Sequence, residues 1–148
     1  MSEHMPKTYL LEASTVRRHA PRTAGTYRLG TLRGGRFVHH CFGRSDDNVQ
    51  RRLLVHAAGA PDTHFQVWPA RTAYDAFRLE CGLWHLDLPF ARNRIHPGAP
   101  GGVPFVCPYC LLGRDRMTRA LARALAVDRS RQWRIPPEAN LCPISSHS

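Results

Sequence analysis

Five residues of this chain, taken in order, supply the groups needed to cut a phosphodiester: Tyr27, Arg52, His56, Glu80 and Asn93. Hydrolysis at phosphorus needs a water stripped of a proton, charge stabilisation on the phosphate, and help for the departing oxygen. A phenol such as Tyr27, polarised by a neighbour, can take part in activating the water. His56 has an ordinary pKa near neutrality, so it can accept or relay that proton. The Arg52 guanidinium can bind the non-bridging oxygens, where negative charge builds up. Glu80 can hold one Mg2+ or Mn2+ as a Lewis acid on the leaving 3′ oxygen. Asn93 can fix the carboxylate or the phosphate by hydrogen bonding.

The elements that must position these groups follow from pattern. Thr26 to Leu32 suits a strand, and Arg33-Gly34-Gly35-Arg36 is a hairpin turn signal, because glycine permits positive φ. A second strand runs from Phe37 to Phe42; by alternation Phe37, His39 and Cys41 share one face, and Val38, His40 and Phe42 the other. Ser45 to Asn48 offers N-caps for a helix to about Ala58, on which Arg52 and His56, four apart, stand on one face. His64 to Trp68 reads as a third strand. Thr72-Ala73-Tyr74-Asp75 opens a helix through about Leu86 that carries Glu80. Residues 87–106 are rich in Pro and Gly, a loop length that implies a function or a pin. The order ββα-β-α predicts an α/β (α+β) sandwich with a small, mainly antiparallel, three-stranded sheet flanked by helices. Residues 1–23 read as a basic N-terminal arm, 24–110 as the folded domain, and 111–148 as a basic helix with an irregular tail.

Gly25-Thr26-Tyr27, Cys41-Phe42-Gly43-Arg44-Ser45, Arg52, His56, Glu80 and Asn93 together resemble the active-site motifs of the GIY-YIG nuclease superfamily. Leu79-Glu80-Cys81, Asn93 to Pro97, and Cys107-Pro108-Tyr109-Cys110 are similar to a subgroup that carries a C-terminal Cys-Pro-x-Cys knuckle. The resemblance spans roughly residues 24–110. It implies the GIY-YIG fold and a metal-dependent endonuclease that hydrolyses DNA to 5′-phosphate and 3′-hydroxyl ends. It assigns the catalytic roles to Tyr27, Arg52, His56, Glu80 and Asn93, with one Mg2+ or Mn2+ at Glu80. The chain departs from the family at Cys41, where the first tyrosine of YIG usually stands. A thiol donates weakly and replaces a phenol poorly. His39, on the same strand face, can reach toward the same pocket as a substitute, or Cys41 simply packs as a small hydrophobe.

Cys107-Pro108-Tyr109-Cys110 has the spacing at which two thiolates reach one Zn2+, making half a structural site. Cys81 and His85, four apart on the Glu80 helix, are expected to supply the other half, with His96 as a rival ligand. Such a centre would tie the long loop to that helix.

The net charge is +10, with twenty arginines and one lysine. That balance favours a polyanionic partner, and DNA before others. Residues 114–127 carry Arg116, Arg119 and Arg123 along one stripe suited to a phosphate backbone, and Arg44 is a further expected nucleic-acid contact. No run approaches the ~18 apolar residues of a membrane span. No targeting signal is visible, so a cytoplasmic location is expected. Two other functions share these features: a catalytically impaired nucleic-acid-binding protein on the same fold, and a zinc-stapled module that binds an acidic protein.

Overall fold

The structure, a computed structural model, describes residues 6–87, 96–101 and 105–110. Asn93, the arginine stripe of Arg116, Arg119 and Arg123, and the C-terminal tail lie outside these residues.

Seven elements follow one another: β1 (Tyr9–Leu10), α1 (Ala13–His19), β2 (Gly25–Arg33), β3 (Arg36–Ser45), α2 (Val49–Gly59), β4 (His64–Pro69) and α3 (Ala73–Asp87). The sheet among the described residues has four strands in the order β1-β4-β2-β3, every pair antiparallel. The expected three strands are β2, β3 and β4. The fourth comes from the segment read as an arm, because Tyr9 and Leu10 pair with Phe65 and His64. Leu11, Val16 and Ala20 from the same segment are buried in the core. These three buried apolar side chains anchor a stretch whose composition is otherwise polar and basic.

The β2–β3 hairpin closes through Gly34 and Gly35, both at positive φ (57° and 74°), as a two-residue turn between twisted strands requires. Asn48 caps α2, its side chain accepting from the Arg51 N–H at 3.0 Å. Thr72 caps α3 through the Asp75 N–H at 3.1 Å. Both caps fall where the sequence placed them.

Helices cover the two faces of the sheet. Val16 of α1 and Val49 and Leu53 of α2 pack on Tyr27, Leu29, Cys41 and Phe65. On the opposite face, Leu79 and Leu83 of α3 meet Phe42 and Trp68. Among the described residues, no helix is long and apolar enough to cross a membrane.

One irregularity reassigns a face. Leu29 pairs with Cys41, but Gly30 pairs with His39, so His40 is an extra residue bulging out of β3. Gly30 makes this possible: a Cβ there would stand 2.1 Å from the Val38 carbonyl oxygen. The strict alternation expected for β3 is therefore broken. Phe37 and His39 point to the α3 face, with Phe37 beneath the Arg28 guanidinium, while Cys41 stays on the α2 face.

Candidate active site and metal centre

The tyrosine and the helix histidine meet. Tyr27 Oη lies 2.7 Å from His56 Nε2, with both side chains buried. The phenol reaches α2 by crossing β3 at Gly43, where a Cβ would stand 2.6 Å from its hydroxyl oxygen. Glycine at position 43 is thus required by the path of the Tyr27 ring. Burial holds the His56 pKa down at about 4, the Arg52 charge adds to this, and Asp62 opposes it. His56 is therefore neutral at physiological pH. In the tautomer that carries its proton on Nδ1, the Nε2 of this neutral ring accepts from the Tyr27 hydroxyl. Arg52, one turn earlier and half-buried, sits close enough for its charge to act on both His56 and Glu80.

Glu80 is held on the other face of the sheet. Arg44, wholly buried, donates through Nη1 to Glu80 Oε2 at 2.5 Å, through Nε to Asp46 Oδ1 at 2.7 Å, and through Nη2 to the Gly98 carbonyl at 2.7 Å. Its guanidinium also lies over the Phe77 ring, 5.3 Å from the centroid. Burial raises the Glu80 pKa to about 7, against the pull of Arg44 and Arg52 and with help from Asp46. The guanidinium is divided between two carboxylates, so Arg44 offsets only part of what burial does to Glu80. Burial works against the Arg44 charge too, but two acids outweigh it, and its pKa is raised. Arg44 is accordingly not a surface contact for nucleic acid, contrary to the expectation from charge.

His39 and Cys41 do not fill the tyrosine's place. The bulge carries His39 to the Arg28 side, where burial, then Arg28 and His40, hold its pKa well below the ordinary value. Cys41 packs against Leu29 and Tyr27 as part of the core. The structure instead brings up two residues that sequence reasoning passed over. His40, the bulged residue, has Nδ1 2.7 Å from Asp62 Oδ1, and Asp62 in turn acts electrostatically on His56. The sign of the bulge in the sequence was Gly30, a glycine set inside a strand, which pairs with His39 and leaves His40 as the extra residue.

A second cluster lies beside α3. His85, His96, Cys107 and Cys110 bring one ligand atom each to within 4.8 Å of one another, a set able to hold a metal ion. His85 Nε2 is 3.3 Å from Cys107 Sγ and 3.4 Å from Cys110 Sγ, and His96 Nε2 is 3.4 Å from Cys110 Sγ. The other His96 nitrogen, Nδ1, donates to the Pro97 carbonyl at 2.8 Å, which turns Nε2 toward the thiols. The Tyr109 N–H donates to Cys107 Sγ at 3.4 Å, a bond that stabilises a thiolate. Trp84 packs edge-on to His96, with centroids 4.8 Å apart. The cluster able to hold a metal thus includes His96, the rival ligand, in place of Cys81. Cys81 is buried with Phe77 and Cys107, and that burial pushes its thiol far above the ordinary value.

Opposite pH slopes should be visible in stability. Glu80, with its pKa raised from 4.5 to about 7 by folding, adds stability that is full below 4.5 and lost as pH rises to 7. His56, lowered from 6.5 to about 4, adds stability that is full above 6.5 and lost as pH falls toward 4. The two oppose each other between pH 4.5 and 6.5. Relative to wild type, Glu80→Gln should lose more stability on acidification across that window, and His56→Gln should gain. Urea midpoints measured at several pH values test this; parallel profiles for all three proteins would rule it out.

No family model matches this chain, and no curated protein or solved structure matches it.

Proposed function

We propose that the chain is an endonuclease of the GIY-YIG type, hydrolysing phosphodiester bonds in nucleic acid, with DNA the first substrate to try. The observation that carries this reading is the Tyr27–His56 hydrogen bond at 2.7 Å, laid across Gly43 with Arg52 one helical turn away. A neutral imidazole accepting from a phenol is the arrangement a proton relay requires. As water gives a proton to the Tyr27 oxygen, Tyr27 passes its own proton to His56 Nε2. The hydroxide attacks phosphorus, and the 3′ oxygen leaves and takes up a proton from solvent. Arg52 offsets the charge that builds on the non-bridging oxygens.

The resemblance puts Mg2+ or Mn2+ at Glu80. With a guanidinium against its carboxylate and almost no exposure, Glu80 does not fit a divalent ion until Arg44 turns away. That same observation favours a second reading, a nucleic-acid-binding protein whose catalysis is impaired, and the core packing of Cys41 agrees with it. Nucleic acid as the partner is supported by the +10 charge and by a cleft of about 330 Å³ lined by Arg71, Arg78 and Tyr109. At the metal centre, two thiolates and two imidazoles in this arrangement suit Zn2+ in a structural role.

Plasmid and single-stranded circular DNA incubated with Mg2+ or Mn2+, wild type beside Glu80→Ala, tests the first reading. Cleavage by wild type alone is the expected result. Binding by both proteins without cleavage would leave the second reading in its place.

A further inference from the structure

Arg44 connects two parts of the molecule that the sequence keeps far apart. Its Nη1 holds Glu80 on α3, and its Nη2 holds the carbonyl of Gly98, two residues beyond the metal-cluster histidine His96. Residues 96–100 have no helix or strand. A carbonyl in such a segment is a firm acceptor only where something removes the segment's freedom. His96 is tied at both ring nitrogens, to the Pro97 carbonyl and toward Cys110 Sγ, and a metal bond at Nε2 would pin the segment at this point. The guanidinium is planar, so fixing two of its directions fixes the third. His85 also stands on α3, five residues after Glu80, so the helix carrying the acid is itself clamped by the same centre.

We propose that the metal centre at His85, His96, Cys107 and Cys110 positions Arg44, and through it Glu80, by fixing the Gly98 carbonyl. This rests on zinc occupying the cluster. Arg44 is a positioning residue here, since it touches neither the metal nor a substrate. Linkage makes the effect reciprocal: if the centre steadies Arg44, then Arg44 steadies the centre by the same factor.

Three measurements on the full chain separate the parts. Metal analysis of the purified protein should find zinc, and Cys110→Ser should lose most of it. No zinc in wild type, even after incubation with Zn2+, overturns the occupancy and the proposal with it. Guanidinium 15N–1H NMR signals report the coupling directly. Removing zinc with a chelator should broaden the Arg44 Nη signals while those of Arg28, which donates to Gln66 at 2.7 Å, persist. Unchanged Arg44 signals overturn the coupling and leave zinc binding standing. Loss of the Arg28 signals as well overturns it too, because the metal would then be holding the whole fold. Finally, Arg44→Lys keeps the charge but cannot span Glu80 and Gly98 together. Its zinc affinity, from chelator competition, should fall about five- to tenfold; an unchanged affinity overturns the proposal. None of these readouts uses cleavage, so the nuclease reading stands or falls separately.

Discussion

Tyr27→Phe should lower phosphodiester cleavage by about 10²- to 10⁴-fold, the usual range for loss of a proton-transfer group. The ring keeps its place in the core and only the hydroxyl goes, so the fold should survive. The neutral His56 loses its 2.7 Å partner, a penalty of about 1–3 kcal/mol for a buried polar group. Gly43→Ala should reach a similar loss of activity by a different route. Its new methyl meets the hydroxyl oxygen at 2.6 Å, pushing the phenol off His56 without removing any reacting group. Single-turnover nicking rates, with urea midpoints to confirm folding, check both variants. Wild-type rates for Tyr27→Phe would remove the phenol from the mechanism. A normal rate for Gly43→Ala alongside an inactive Tyr27→Phe would show that the hydroxyl works from a position other than the one over Gly43.

Arg44→Met should be the most damaging single change to stability, at about 3–5 kcal/mol when Glu80 is ionised. The methionine replaces much of the volume, but a buried carboxylate loses its cation and Asp46 remains nearby. Glu80 escapes the penalty by taking a proton, which its pKa of about 7 already makes easy. The variant raises that pKa further, so its stability is lost as pH rises. Denaturation at pH 5 and pH 8 should therefore show a small deficit at the lower pH and the full one at the higher. An equal deficit at both would mean that Glu80 carries no charge worth pairing. Adding Glu80→Gln to Arg44→Met should recover most of the loss at pH 8, since no buried charge is then left behind.

The parts of the site set by local spacing were legible in the sequence. Arg52 and His56 are one turn apart on any helix, and the Gly34-Gly35 turn fixes which strand returns beside Tyr27. Cys107 and Cys110 are likewise close together along the chain. What the sequence did not reveal depends on contacts between distant segments. Choosing His96 over Cys81 requires knowing where the loop returns to α3, and Cys81 points instead into the Phe77 cluster. Arg44 lies in a basic chain and reads as a surface arginine until Glu80 and Gly98 are found beside it. The bulge at His40 was marked only by Gly30, and missing one extra residue put His39 and Cys41 on one face when the structure sets them on opposite faces. α1 escaped notice because it has seven residues and a single fully buried apolar side chain, Val16, too few to show a period.

The bulged His40 also bears on the outer edge of the sheet. Among the described residues β3 is an outer strand of the sheet, and β1, the other outer strand, has only two residues. A long, flat outer strand offers a template on which another molecule can extend the ladder. The extra residue kinks β3 partway along and breaks the regular spacing of its outward N–H and C=O groups. Among the described residues, neither margin of the sheet therefore offers a long regular run of the kind that favours strand addition by a second copy.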